Sequence, residues 1–263
     1  MWTKSITMIN EFLDGLKAYG KAFRVISKLG LWGYTLLPAL LTLAIMVGVG
    51  FTAYGLSDNI GNFLVSWWRW DWGAEVVASI GSWVGGILIG ILGILSLKYI
   101  VLILVAPFMS ILSEKVESKL TGVKSTARFT IPKAIQDIIR GFRISLRNII
   151  RELFFTFLLL IAGMIPLIGW ISPIFIFLVQ SYYAGFGNTD YTMERHFKVR
   201  KSVHFARQHK GLMIGNGVVF MALLMTGVGF LIAPPLATVA ATLESVERLE
   251  TAGCLEAKGE EFV

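Results

Sequence analysis

Between Leu153 and Thr189 the chain runs for 37 residues without a single Asp, Glu, Lys, Arg or His. One unbroken helix of that length, at ~1.5 Å per residue, would far overshoot a bilayer hydrocarbon core of ~30 Å. The centre of the run reads Met164-Ile165-Pro166-Leu167-Ile168-Gly169-Trp170-Ile171-Ser172-Pro173. Proline removes a backbone donor and clashes with the turn before it, so Pro166 and Pro173, with Gly169 between them, act as helix breakers. The two apolar arms left over, 153–165 and 173–187, are each shorter than the ~17–25 residues a crossing requires. The expectation is a helical hairpin that enters a membrane and leaves by the same face.

The rest of the composition agrees. Only 16% of the residues are charged and mean hydropathy is +0.70, whereas soluble domains carry ~25% charged residues. Uncharged runs at 29–57, 76–97, 153–189 and 211–243 predict an all-α integral membrane protein, read as one domain over 1–263. Residues 1–28 place Ile6, Ile9, Leu13, Leu16, Phe23 and Ile26 at helical spacing among charged residues. This amphipathic helix, interrupted by Gly15 and Gly20, either lies on the membrane surface or packs on the ends of the other helices. The first spanning segment is 29–57, with Pro38 as a kink. Its successor, 58–75, carries Trp67, Trp68, Trp70 and Trp72 and suits the headgroup level. The second span, 76–113, is long enough to project into the cytoplasm and is broken near its exit by Pro107; Lys98 within it either snorkels near that exit or is a cation of a transport pathway. Its pairs Gly81/Gly85 and Gly86/Gly90 allow close helix approach. Basic amphipathic helices follow at 114–152, then the first hairpin at 153–189, a basic segment at 190–210, a second hairpin at 211–243, and an acidic, frayed tail at 244–263. The second hairpin repeats the design of the first, with Gly227-Val228-Gly229 and the breakers Pro234 and Pro235 at its centre.

Charge fixes the orientation. Segment 190–210 has six Lys/Arg against two acids, a net +4, while 58–75 has one base against three acids, a net −2. If all four runs crossed once, the +4 segment would lie outside beside the −2 segment, against the positive-inside rule. Two transmembrane helices plus two re-entrant hairpins put every basic segment, and both termini, in the cytoplasm.

Candidate binding residues are few. Arg140, Arg143, Arg147 and Arg151 recur at spacings of three and four and form a cationic stripe beside an apolar one. Such a stripe rests on anionic membrane lipids, or, in a sharper reading, forms a funnel for anions. His196, His204 and His209 lack zinc-ligand spacing and read as solvated; no metal or cofactor is expected. No phosphate loop, zinc-protease or nucleophile-elbow motif is present, so an enzyme is not expected, and the positive charge is read as topology rather than as nucleic-acid binding. Ser172, Gln180, Ser181 and Asn216, the polar residues within the apolar runs, read as interhelical hydrogen bonds.

The stretch Ala106-Pro107-Phe108, followed by Glu114 and Glu117 on a helix ending Leu120-Thr121-Gly122, resembles the CysZ sulfate-permease family and its etoposide-induced-protein relatives. Phe12-x-x-Gly15, Gly30, Leu37-Pro38, Ile165-Pro166-Leu167-Ile168-Gly169, Ser172-Pro173, Asp190-Tyr191 and the break before Pro234 fit the same family in order. The resemblance implies a homo-oligomeric protein of the bacterial inner membrane that takes up sulfate or a related small anion. It also implies an anion site at the start of the first span, where a Gly-hydrophobic-Arg-Arg sequence supplies cations and a helix N-terminus. Here the matching residues are Gly30-Leu31-Trp32-Gly33, with both arginines absent. Lys28 and the backbone of Gly30, Leu31 and Gly33 are what remain of that anion site. The alternative expectation is a non-transporting protein that binds anionic lipid or assists assembly.

Overall fold

Glycines decide how the helices meet in the computed structural model, which describes residues 2–37, 39–41, 43–45, 47, 48, 51, 105–123, 130–165, 169–227 and 229–253. Helix α1, Trp2–Lys28, runs unbroken through Gly15 and Gly20. Gly15 is used for packing: a Cβ there would fall 2.8 Å from the Asn216 backbone nitrogen, and Gly215 in turn lies against the Phe12 carbonyl. Glycines thus let α1 lie directly on helix α7, Lys210–Met225. Helix α1 packs side by side with α7 over several turns, not on helix ends.

At its end α1 turns sharply. Leu31 N–H donates to the Ile26 carbonyl at 3.0 Å and Gly30 adopts φ +62, so the turn is a left-handed helix cap. A second helical segment, α2, Trp32–Ile45, leaves at 116° to α1. Helix α3, Ala106–Thr121, carries Pro107 in its first turn, where a missing N–H costs nothing, and ends on Gly122 at φ 72.

Helix α4, Ile131–Gly163, is one 33-residue rod. It joins the basic segment to the first apolar arm, across the boundary expected at 152/153. Up to Glu152 it buries Ile144, Ser145, Asn148 and Glu152, while beyond that point it exposes Leu153, Phe154, Phe157, Leu158, Leu160 and Ile161. After the turn, α5, Ser172–His196, returns alongside it, with Pro173 in its first turn and Ser172 Oγ donating to the Leu159 carbonyl at 2.6 Å. Met164 and Trp170 at the hairpin tip are 83% and 88% exposed. Pro166 lies outside the described residues, as do 52–104 with their tryptophans, Lys98 and glycine pairs, and the tail from Cys254.

The segment expected as a basic cytoplasmic connection is helical. Residues 190–196 complete α5, where Asp190 to Met193 are buried, and α6, Val199–Gln208, follows. The second hairpin is α7 and α8, Gly229–Thr251. Its break differs from expectation. It falls at Thr226-Gly227, where Gly227 has φ 75 and Thr226 Oγ1 accepts the Gly229 N–H at 3.0 Å. Pro234 and Pro235 are not breakers; α8 passes through both. Each forfeits one helical hydrogen bond, but the helix is pinned along its length by the fully buried Ala233, Ala237, Val239, Ala240 and Ala241. Nor does α8 stop at 243: Glu244 is buried, accepting from Lys21 and Arg248, and Val246 and Leu249 join the core.

The main core packs small residues of α1, α3, α5, α7 and α8, such as Ala18, Ala22 and Ala184, against the larger Met109, Leu112 and Phe220. A second cluster around Ile144, Phe186, Met193, Phe205 and Met213 ties α4 and α6 to the base of the hairpins. Asn216 joins three helices at the centre: it accepts from Asn188 Nδ2 at 3.0 Å, donates to the Ala237 carbonyl at 3.1 Å, and its own carbonyl receives the Tyr19 hydroxyl at 2.8 Å. Among the described residues no single helix is long and apolar enough to cross a membrane; α1 and α2 meet that requirement only as a bent pair.

Candidate functional site

Two charged regions lie at the base of the first hairpin, and they behave differently. In the first, Arg140, Arg195 and His196 are each paired with a carboxylate. Arg140 on α4 forms a bidentate pair with Asp190 on α5, at 2.9 Å for both contacts, and also donates to the Phe197 carbonyl and to Ser202 Oγ. Arg195 donates to Glu117, to Ser113 Oγ at 2.8 Å and to the Tyr191 carbonyl at 2.7 Å. His196 Nε2 meets the other Glu117 oxygen at 2.7 Å. Burial alone would raise the Glu117 carboxyl, but the His196 hydrogen bond and the Arg195 charge outweigh it and hold that carboxyl below its ordinary value. Ser110 donates to Glu194. Burial pushes the Glu194 carboxyl up to about 8; the Ser110 hydrogen bond opposes this, and the nearby Asp137 and Asp190 reinforce it. Arg140 offers little relief, because its Nε is 3.9 Å from Glu194 and already held by Asp190.

In the second region the cations form no ion pair among the described residues. A cleft of about 600 Å³ opens between α4, α5, α6 and α7. Arg147, Arg151, Arg207 and Lys210 line it together with Tyr182 and Tyr183, and no carboxylate is among its lining residues. Arg147 donates to Asn148 Oδ1 at 3.0 Å and stands 5.8 Å from the Phe186 ring centroid. Burial, then the charges of Arg151 and Arg207, lower the pKa of the Arg147 guanidinium. Cations crowded in this way supply a field that a polyanion relieves. The cleft has a second character. Phe155 stands one turn beyond Arg151 towards the hairpin tip, and Phe175, Leu178 and Val179 line the same end from α5.

The structure divides the arginine stripe. Arg147 and Arg151 reach the cleft, Arg140 is consumed by Asp190, and Arg143 is exposed on α4. Arg207 and Lys210 were missed because they lie on other helices, with no local periodicity linking them to α4. At the N-terminal candidate, Lys28 and Gly33 are exposed while Leu31 is buried in the core. The Gly30 and Leu31 amides already donate to the Ser27 and Ile26 carbonyls, so they cap α1. Two of the three histidines are not solvated as expected: His196 binds Glu117, and His209 Nδ1 lies 2.6 Å from Glu11. A carboxylate brought from a distant helix fixes each ring. Of the apolar-run polar residues, Asn216 and Ser172 form the interhelical hydrogen bonds expected, while Ser181 Oγ has none among the described residues. No group of His, Cys, Asp and Glu suited to a metal occurs among the described residues.

Among the described residues the protein is helical throughout, turns an apolar surface outward beyond Glu152 and gathers Arg147, Arg151, Arg207 and Lys210 at the base of the first hairpin, an arrangement suited to a membrane protein. The model of the sulfate transporter CysZ/etoposide-induced protein 2.4 family matches residues 18–235, and the chain belongs to this family of membrane transporters.

Proposed function

We propose that the protein is a CysZ-like transporter that passes sulfate or a related small anion across a bacterial inner membrane. In this reading 29–57 and 76–113 span, the two hairpins are re-entrant, both termini are cytoplasmic, and the working unit is a homo-oligomer. The observation that carries it is the cleft: Arg147, Arg151, Arg207 and Lys210 converge without a carboxylate in the lining. A dianion leaving water needs paired charge or donated hydrogen bonds. Trp32 and Gly33 cannot supply charge at the first span, so cations at the base of the first hairpin take that part. The matched charges of Arg140, Asp190, Arg195 and Glu117 hold the hairpin base in register around the cleft.

The test is sulfate entry into liposomes that contain the purified protein, under an imposed gradient. Uptake above that of empty liposomes is expected, falling at least about tenfold in the Arg147→Gln/Arg207→Gln double variant. Uptake equal to empty liposomes overturns the reading. The replacement of the family's arginine pair by Trp32-Gly33 favours a second reading, a non-transporting protein of the lipid surface, which that result would support.

A further inference from the structure

The cleft is not shaped for a small anion alone. At about 600 Å³ it lies within the ~300–1,000 Å³ of sites that enclose drug-sized ligands, and a bare tetrahedral oxyanion would leave most of it empty. Its polarity is also graded along one axis. On α4 the order is Arg147, Arg151, Phe155, one turn apart, running from the base of the hairpin towards the tip. On α5 the matching order towards the tip is Tyr183 and Tyr182, then Val179 and Leu178, then Phe175. Arg207 and Lys210 close the polar end. The apolar end is open to its surroundings, because Phe155 and Phe175 are 45% and 52% exposed.

We propose that this cleft is a binding site for an anionic phospholipid, its phosphate held by Arg147, Arg207 and Lys210 and an acyl chain laid along Phe155, Val179 and Phe175. The shared chemistry with the transport reading is a tetrahedral oxyanion among guanidinium groups. The apolar end is what selects a lipid over free phosphate or sulfate. The inference rests on the reading of the first hairpin as membrane-embedded, which brings the cations to headgroup level and the phenylalanines to acyl-chain depth. It does not require that the protein transports anything. A lipid phosphate in the cleft would, however, compete with a free oxyanion there, so anionic lipid would restrain flux.

The experiment measures phosphatidylglycerol and phosphatidylcholine retention by the purified full chain in native mass spectrometry, with inorganic phosphate and sulfate as competitors. The expected result is selective retention of phosphatidylglycerol. It should fall at least about tenfold in Arg147→Gln/Arg207→Gln, and also fall in Val179→Trp, which fills the apolar end while leaving every cation. Equal retention of the two lipids overturns the proposal, as does phosphatidylglycerol retention that both variants leave intact. Loss in the arginine variant but not in Val179→Trp, with full displacement by inorganic phosphate, also overturns it and leaves a free-oxyanion site. Arg207→Lys keeps the charge and guards against misfolding: it should retain lipid and the parent's thermal transition. Sulfate flux of the same samples in phosphatidylcholine liposomes separates the two readings. Flux without lipid selectivity sinks this proposal and spares transport; lipid selectivity without flux does the reverse.

Discussion

Gly217 and Gly20 both stand inside helices, yet a methyl group at each would meet opposite surroundings. At Gly217 the new Cβ would fall 1.7 Å from the Ser181 carbonyl oxygen, a backbone atom that cannot move without parting α5 from α7. At Gly20 nothing lies within 4 Å. Gly217→Ala should therefore destabilise by at least the ~1–3 kcal/mol typical of overpacking. Gly20→Ala should stabilise by about 0.5–1 kcal/mol through helix propensity. Thermal unfolding of the two variants in detergent should move in opposite directions, and a Gly217→Ala protein as stable as its parent would contradict the close approach. The Arg140–Asp190 pair makes a second residue-level prediction. Both side chains are largely buried, at 18% and 8% exposure. Asp190→Ala leaves a guanidinium without its bidentate partner, at a cost of about 3–5 kcal/mol. Arg140→Lys should recover little, because an ammonium cannot reproduce the two parallel contacts. A lysine variant with the parent's thermal transition would show that charge alone holds the junction.

Helix α5 draws its pH response from the elements packed on it. Glu194, facing Ser110 on α3 and Asp137 and Arg140 on α4, titrates near about 8 in the folded protein, whereas an unfolded glutamate titrates near ~4.3. The folded state thus holds a proton that the unfolded chain has released. Stability falls as pH rises between those limits and levels off above about 8. Glu117 works in the other window: its lowered carboxyl contributes stability above the ordinary carboxylate range, lost as pH falls below it. Glu194→Gln should therefore remove a decline of several degrees in unfolding temperature between pH 5.5 and 8.5, while histidine contributions remain common to both proteins. Parallel profiles for the two proteins would exclude Glu194 as the source. The elements also mark what the sequence could disclose. The first hairpin was legible because Pro173 and a 37-residue uncharged run are local signals. The second was legible as a hairpin, but not at its break. Proline chemistry favoured Pro234-Pro235, whereas burial of Ala233, Ala237 and Ala240 holds α8 together there and Thr226-Gly227 supplies the turn. Helical periodicity put four arginines on one stripe, yet only a fold that brings Asp190 to Arg140 and Arg207 to Arg147 separates structural from available charge. Likewise nothing local to His209 announces Glu11, which reaches it from α1.

At the scale of the whole molecule, the distribution of exposed apolar surface and of charge constrain topology together. The outer half of α4 exposes Phe154, Phe157, Leu158, Leu160 and Ile161, and the tip adds Met164 and Trp170 at 83% and 88% exposure. Such a contiguous apolar surface is stable only against lipid or another apolar partner. Yet the arm from Leu153 to Gly163 measures roughly 16 Å at ~1.5 Å per residue, about half of a ~30 Å core. Midway along the same rod, just before this arm begins, stand Arg147 and Arg151, joined from α6 and α7 by Arg207 and Lys210. A tip that reached the far interface would drag these cations into hydrocarbon, at a cost of several kcal/mol for each charge that cannot snorkel. Base and tip are reconciled if the hairpin reaches only mid-membrane and α6 remains on the cytoplasmic side. The prediction uses single cysteines in a Cys254→Ser background: Gln208→Cys on the exposed face of α6 and Ser66→Cys in the tryptophan-rich segment. An impermeant maleimide applied to intact spheroplasts should label the second and spare the first, and permeabilised membranes should label both. Labelling of Gln208→Cys from outside at the rate of Ser66→Cys would mean that the first hairpin crosses, and the lengths, the charges and the cleft would then all require a different membrane.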